Sequence, residues 1–264
     1  MMKKLSSKIY FGIIMAFLYL PIIYLIAYSF NDGKTSVWKG FTFKWYEALF
    51  NDAQIMGSLY NTLLVAILAS VISTILGTFA AIGIYNFKGG VRSAIQNVSN
   101  IPIINPEIVT GVSLMLLFTF AGVMMGFEMG FWTVLLAHIG FCTPYVILNV
   151  TPRLKQMDSS LYEAALDLGC SPLQAFFKVV LHELLPGIFS GFLISFTYSL
   201  DDFVITYFTR GSRFQTLPIQ IYTMTHQRIN PKANALSALM FVIVIAILLT
   251  SNFVSARRDK EEAR

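Results

Sequence analysis

Charge is scarce in this chain. Lys, Arg, Asp and Glu make up 12% of its 264 residues, and 56% are hydrophobic; a soluble domain of this size carries about 25% charged residues. That excludes an ordinary soluble fold. Cysteine is almost as rare. Cys142 and Cys170 stand 28 positions apart, with no CxxC and no His at ligand spacing, so they read as free thiols rather than as a disulfide or metal site. No GxxxxGK[ST] occurs, which excludes ATP binding by that route, and Gly89-Gly90 is a turn rather than a phosphate loop. HExxH and G-x-S-x-G are absent too, and no internal repeat or low-complexity segment is present.

What the chain has instead is apolar blocks of about 20 residues, the length that crosses a bilayer as a helix. Lipid offers the backbone no hydrogen-bond partners, so spanning segments are helices or closed barrels. Barrel strands would be shorter and alternating. The expected architecture is an all-α integral membrane protein, a single transmembrane domain over 1–264. Six spans are expected near 9–30, 59–85, 98–121, 131–150, 187–208 and 234–255. Lys3, Lys4 and Lys8 precede the first block; it is too long for a signal-peptide core and no A-x-A-like site follows, so it reads as an uncleaved first helix.

The net charge of +5 points to topology, not to nucleic acid, because most Lys and Arg flank the apolar blocks. With the N-terminus inside, 12 of the 19 Lys and Arg fall on the cytoplasmic side and 7 outside, which places both termini in the cytoplasm. In the first outer loop, Phe41-Thr42-Phe43-Lys44-Trp45-Tyr46 suits a helix at the membrane–water interface. A short apolar hairpin around Gly122–Gly130 joins the third and fourth spans.

About 36 residues, 151–186, separate the fourth and fifth spans on the cytoplasmic side, and they include LYEAALDLGCSPLQAFFKVVLHELLP from 161. This reads as a short helix over 162–168, a glycine at its end, and a restart at Ser171-Pro172. Ala164, Ala165 and Leu168 give the first helix a small greasy face; Phe176, Phe177 and Val180 do so for the second. On physics alone such a helix–turn–helix is either a docking knob for a soluble partner or an amphipathic linker.

Glu163-Ala164-Ala165 with Gly169 six positions after the Glu resembles the EAA…G motif of bacterial ABC importer permeases. The motif usually closes with I-x-L-P; here Val179-Val180-Leu181-His182 puts Val for Ile and His for Pro, with Pro186 four residues on. The stretches Phe41–Tyr46, Pro106-Glu107-Ile108 and Ser195–Asp202 look like the second permease subunit of the polyamine (spermidine/putrescine) branch. The resemblance implies a type I importer fold in which Glu163, Ala164, Ala165 and Gly169 form a coupling helix. It also implies a second permease subunit, two ATPase subunits and an extracytoplasmic polyamine-binding protein in a bacterial inner membrane. ATP is then bound by the partner, and this subunit carries no cofactor and no catalytic residue.

The residues within the spans make their own argument. Glu107 falls in the expected third span, Asp201 and Asp202 in the fifth, and no Lys or Arg falls in any. An acid at mid-membrane costs about 2.5–3.5 kcal/mol, so three without a basic partner call for a cation from elsewhere. Ser195, Ser199, Asp202 and Thr206 form one polar stripe at helical spacing, which favours Asp202 over Asp201 as the pathway-facing acid; Asp201 lies beside Tyr198. Pro102 and Pro106 are expected to bend the third span beside Glu107. The acids then differ in depth by roughly 5–10 Å, a separation that suits an elongated amine. Trp45, Tyr46, Tyr198 and Tyr207 offer π faces to ammonium groups, although interfacial anchoring uses the same residues. The substrate-binding set is therefore Asp202, Asp201, Glu107, Trp45, Ser199 and Tyr198. His138 reads as a neutral imidazole bonded to a neighbouring helix, with proton relay as the alternative, and His182 and Glu183 as solvated or interfacial. Another cationic solute, or an ion-coupled transporter, is the competing reading; the latter usually shows paired repeats. An intramembrane enzyme lacks a nucleophile and base.

Overall fold

The computed structural model describes residues 2–33, 37–158, 160–227 and 230–262. It is helical throughout: α1 (Met2–Ser29), α2 (Lys44–Phe50), α3 (Ala53–Asn86), α4 (Gly89–Ile104), α5 (Glu107–Met125), α6 (Phe131–Gln156), α7 (Ser160–Asp167), α8 (Pro172–Ala175), a π-helical turn (Phe176–Val180), α9 (Leu181–Asp201), α10 (Val204–Thr209), α11 (Leu217–Gln227) and α12 (Pro231–Glu262). Among the described residues, five stretches are long and apolar enough to cross a membrane, namely Tyr10–Ser29, Ala53–Asn86, Glu107–Met125, Phe131–Gln156 and Pro172–Asp201; Pro231–Ala246 is a shorter apolar helix. Lys260 and the other basic residues beyond 250 have no described side-chain placement.

Two of the expected spans are discontinuous. Where one helix is expected over 98–121, the chain makes α4 and α5, parted at Asn105 and Pro106. Where one is expected over 187–208, α9 stops at Asp201 and α10 starts at Val204. The link from the fourth to the fifth span is also shorter than 151–186, because α6 continues to Gln156 and helix resumes at Pro172.

The chain divides into two compact units, one of residues 1–59 with 217–246 and the other of 60–216 with 247–264. In the first, Trp45, Leu49, Ile55, Leu217, Met224 and Leu236 form the core. Asn31 organises the turn after α1: its side chain donates to the Val37 carbonyl (2.9 Å) and accepts from Lys39 N–H (2.8 Å). The indole N–H of Trp45 donates to the Asn31 carbonyl at 2.8 Å. Lys232 at the start of α12 pairs with Asp52 before α3 at 3.1 Å.

The second unit is built on the crossing of α6 and α9. Its core is Ala81, Ile84, Val146, Ile147, Val150, Leu154, Val180 and Leu184. Glycine makes the approach possible. A Cβ on Gly77 of α3 would lie 2.6 Å from Val146 Cβ, and one on Gly191 of α9 would lie 3.1 Å from Val146 Cα. Val146 is thus pinched between two helices, fully buried. Small residues at such crossings let backbones close on one another, which replaces the hydrophobic drive that lipid does not supply.

Two outcomes follow from this packing. Gly77→Ala should lower stability by about 1–3 kcal/mol, the usual range for overpacking, read as a lower thermal midpoint of the purified protein. Burial raises the Asp52 carboxyl, but hydrogen bonds from Lys232 and from the Ile55 and Gln54 N–H groups outweigh it and hold the group below its ordinary value. A depressed folded value means that this stabilisation is present above the unfolded value near about 4 and is lost as pH falls through the folded one. Acidification from about pH 6 to about pH 3 should therefore cost the wild type more of its thermal midpoint than it costs Asp52→Asn.

Candidate functional site

Both helix breaks have local causes. Pro106 has no N–H to donate and disfavours helix at the residue before it; Asn105 is extended, at φ −72° and ψ 137°, and Glu107 becomes the first residue of α5. Glu107 therefore stands at a helix N-terminus rather than mid-span, and the expected bend at Pro102 and Pro106 is a full interruption. The second break carries no proline. Asp202 turns extended (φ −60°, ψ 122°), and its carboxylate accepts the N–H groups of Ile205 (3.3 Å) and Thr206 (2.7 Å). The Thr206 hydroxyl donates to the same carboxylate at 2.7 Å. That is the work of a helix N-cap, here done for α10.

The two breaks meet at one cavity of about 270 Å3. Glu107, Asp201 and Asp202 line it, together with Pro102, Thr110, Phe141, Tyr145, Tyr198 and the first residues of α10. Among the described residues no Lys or Arg does so. Tyr145 and Tyr198 stack on each other in its wall, at 4.5 Å between centroids and 22° between planes. Carboxylates beside aromatic faces form a cation site by charge and by ring quadrupole together.

The expected residues separate here. Glu107, Asp201, Asp202 and Tyr198 line the cavity, and the two adjacent acids differ in what their carboxylates do. Asp202's side chain is 7% exposed and its oxygens are engaged in the cap, whereas Asp201 is exposed. Ser195, Ser199, Asp202 and Thr206 do share one face, but it is turned to α6, where they meet Cys142 and His138. Ser199 is buried and bonded to His138 Nδ1 at 2.7 Å. Trp45 sits in the core of the other unit with its N–H committed to Asn31. Its polar atom is not offered to a ligand. Phe141 and Tyr145 are cavity residues outside the expected set; the signal was there, since they follow His138 at three and seven positions on one face of α6. Cys142 is buried between α6 and α9, where its thiol meets the Ser195 carbonyl.

The loop between α6 and α9 is locally over-determined. α7 ends where Gly169 takes φ +86°, a conformation that costs little only for glycine. Cys170 N–H returns to the Ala165 carbonyl at 3.0 Å. Ser171 accepts from Gln174 N–H, and Gln174 from Ser171 N–H, a reciprocal capping box with Pro172 at the first helical position. Glu163 and Ala164 face outward, Ala165 inward. Leu168 (87% exposed), Leu173 and Phe177 project apolar surface from this loop. With His182 in place of the motif proline, helix runs from Pro172 through the π turn and Pro186 to Asp201.

Residues 73–259 match the family described as "Binding-protein-dependent transport system inner membrane component". The chain belongs to that family. It is therefore a multi-pass inner-membrane permease component. Among similar proteins, the spermidine/putrescine transport system permease protein PotC of Haemophilus influenzae is 36% identical over 248 residues, 94% of this chain and 95% of that one. The putrescine transport system permease protein PotI of Escherichia coli K12 is 37% identical over 254 residues, 94% of this chain and 90% of its own length. Among solved structures, a bacterial ABC transporter involved in the import of the acidic polysaccharide alginate aligns with a TM-score of 0.70 at 18% identity, covering 96% of this chain and 95% of the other. That likeness shows a shared permease fold.

A side chain at Gly169 would be forced into the left-handed region. Gly169→Val should cost the permease about 1–2 kcal/mol or more, read as a lowered thermal midpoint and as faster proteolysis within 160–171.

Proposed function

We propose that this chain is the permease subunit of an ATP-driven polyamine importer, forming the pathway with a second permease subunit. Two copies of an ATPase subunit dock on the loop around Glu163–Gly169, and an extracytoplasmic polyamine-binding protein delivers the cargo. Both termini are cytoplasmic. The permease binds no cofactor; ATP is held by the ATPase, and no covalent chemistry occurs in this chain.

The observation that carries the reading is the convergence of Glu107, Asp201 and the stacked Tyr145 and Tyr198 on one cavity. An ammonium entering it exchanges water for carboxylate oxygens and ring faces, and the acids lose the cost of standing unpaired in the membrane. A linear amine has a cation at each end of an apolar stem, which matches carboxylates held at two separate helix breaks. The relatives named for spermidine and putrescine transport, similar over nearly the whole chain, support the same cargo class.

The test is uptake by the reconstituted complex, screened over polyamines, amino acids and inorganic cations. Spermidine or putrescine should be imported in an ATP-dependent way. Asp201→Asn should raise the KM by about ten- to a hundredfold, the cost of a hydrogen bond to a charged group. Import of another solute class with no polyamine uptake would overturn the cargo. Retention of the ATPase in a pull-down after the Glu163–Gly169 loop is scrambled would overturn the docking site.

A further inference from the structure

The break between α9 and α10 raises a mechanical difficulty. α9 is continuous with the loop helices on one side, whereas α10 packs on α5, the helix that begins with Glu107. At that contact Gly111 closes on Phe208, where a Cβ would meet the ring at 2.8 Å. Along the chain, movement that enters through α9 crosses two non-helical residues, 202 and 203, before it reaches α10 and α5. The Phe203 carbonyl already accepts from Tyr207 N–H at 2.8 Å and so moves with α10, which leaves the extended Asp202 as the joint.

His138 of α6 closes that gap. Its Nδ1 lies 2.7 Å from the Ser199 hydroxyl on α9, and its Nε2 lies 2.9 Å from the Thr206 hydroxyl on α10. The ring is 1% exposed, and Nε2 also stands 3.4 Å from the Asp202 carboxylate in the joint itself. The donors can be assigned. The Thr206 proton goes to Asp202, so Nε2–H donates to the Thr206 oxygen, and in the neutral ring Nδ1 accepts from Ser199. One imidazole thus holds both sides of the discontinuity and the cap between them. α10 is tied to α6 at its far end as well, where the Thr133 hydroxyl donates to the Thr209 carbonyl at 2.7 Å.

We propose that His138 is a positioning residue that staples α9 to α10 across the break, so that movement of the loop helices is passed on to α10 and, through its contact with α5, to the half-helix that begins with Glu107. The proposal rests on the reading of the chain as an ATP-driven permease and not on its cargo. His138 does not line the cavity, and its hydrogen-bonding atoms are taken up by the two helices. Coupling of this kind needs a connected element that both ends bias, and the Ser199–His138–Thr206–Asp202 chain is that element.

The experiment uses the full reconstituted complex with Cys142→Ala and Cys170→Ser, and Val204→Cys as a cavity reporter modified by a thiol reagent. Trapping with ATP and vanadate should change the labelling rate of the stapled complex by about fivefold or more, whereas His138→Ala and Thr206→Val should shrink that change below about twofold while ATP hydrolysis stays within about twofold. Thr206→Ser, which restores the hydroxyl, should recover the full change. Ser199→Ala, which removes only the α9 arm, should give an intermediate one and serves if the larger changes prevent assembly. A full labelling response in Thr206→Val or in Ser199→Ala would overturn the staple, as would a loss in Thr206→Ser as large as in Thr206→Val. Because the readout uses no cargo, absent polyamine uptake in the wild type counts against the cargo alone.

Discussion

A helix that stops within a bilayer strands backbone N–H and C=O groups where no water can reach them, and protein must supply the missing partners. This constraint governs the second unit. At the start of α10 the partner is the Asp202 carboxylate, which takes two backbone N–H groups and a hydroxyl. Once Asp202 is committed to the cap, Asp201 is left on the cavity side of the joint. His138, Ser199 and Thr206 then fall into place as the shell that holds the cap. An acid pair that looks redundant in sequence has two separate duties, one of them architectural.

The other break is achieved differently, and the contrast is informative. At Asn105 and Pro106 the imide removes the donor outright, so no capping side chain is required for it. Glu107 gains a place in the first turn of α5, where the helix dipole favours a negative charge. One acid builds a helix start and the other profits from one. The cavity between them is polar because of how its walls end.

Much of this was legible in the sequence. Apolar blocks announce the spans because length and hydropathy are the only things a bilayer asks of a helix. The turn at Gly169 and the restart at Ser171-Pro172 are readable because they rest on local chemistry that needs no tertiary context. The breaks were harder to see. A hydropathy window does not register the loss of a single turn, and Asp202 lacks the proline that marks Pro106. Periodicity found a real polar face, Ser195, Ser199, Asp202 and Thr206, but could not show that it is turned to Cys142 and His138 of α6, which is how Asp202 came to be favoured over Asp201. Trp45 is a related case: an aromatic in an outer loop suits an interface or a ligand equally well, and only the fold reveals that it is buried with its N–H on the Asn31 carbonyl. Tyr145 was visible in spacing but lacked a charge to draw the eye.

The uninterrupted helical path from Pro172 to Asp201 has a geometrical consequence of its own. Its 30 residues make a rod about 45 Å long, at 1.5 Å per residue. It is gripped partway along, where Gly187 and Gly191 lie against α6. Pivoting there, a tilt of roughly five degrees moves the loop end, about 25 Å from the grip, by about 2 Å, and Tyr198, about 13 Å on the other side of it, by about 1 Å. The longer arm lies on the loop side, so the rod works as a reducing lever: movement received at the loop reaches Tyr198 and Asp201 with its amplitude roughly halved, as a fine adjustment of the ring against Tyr145.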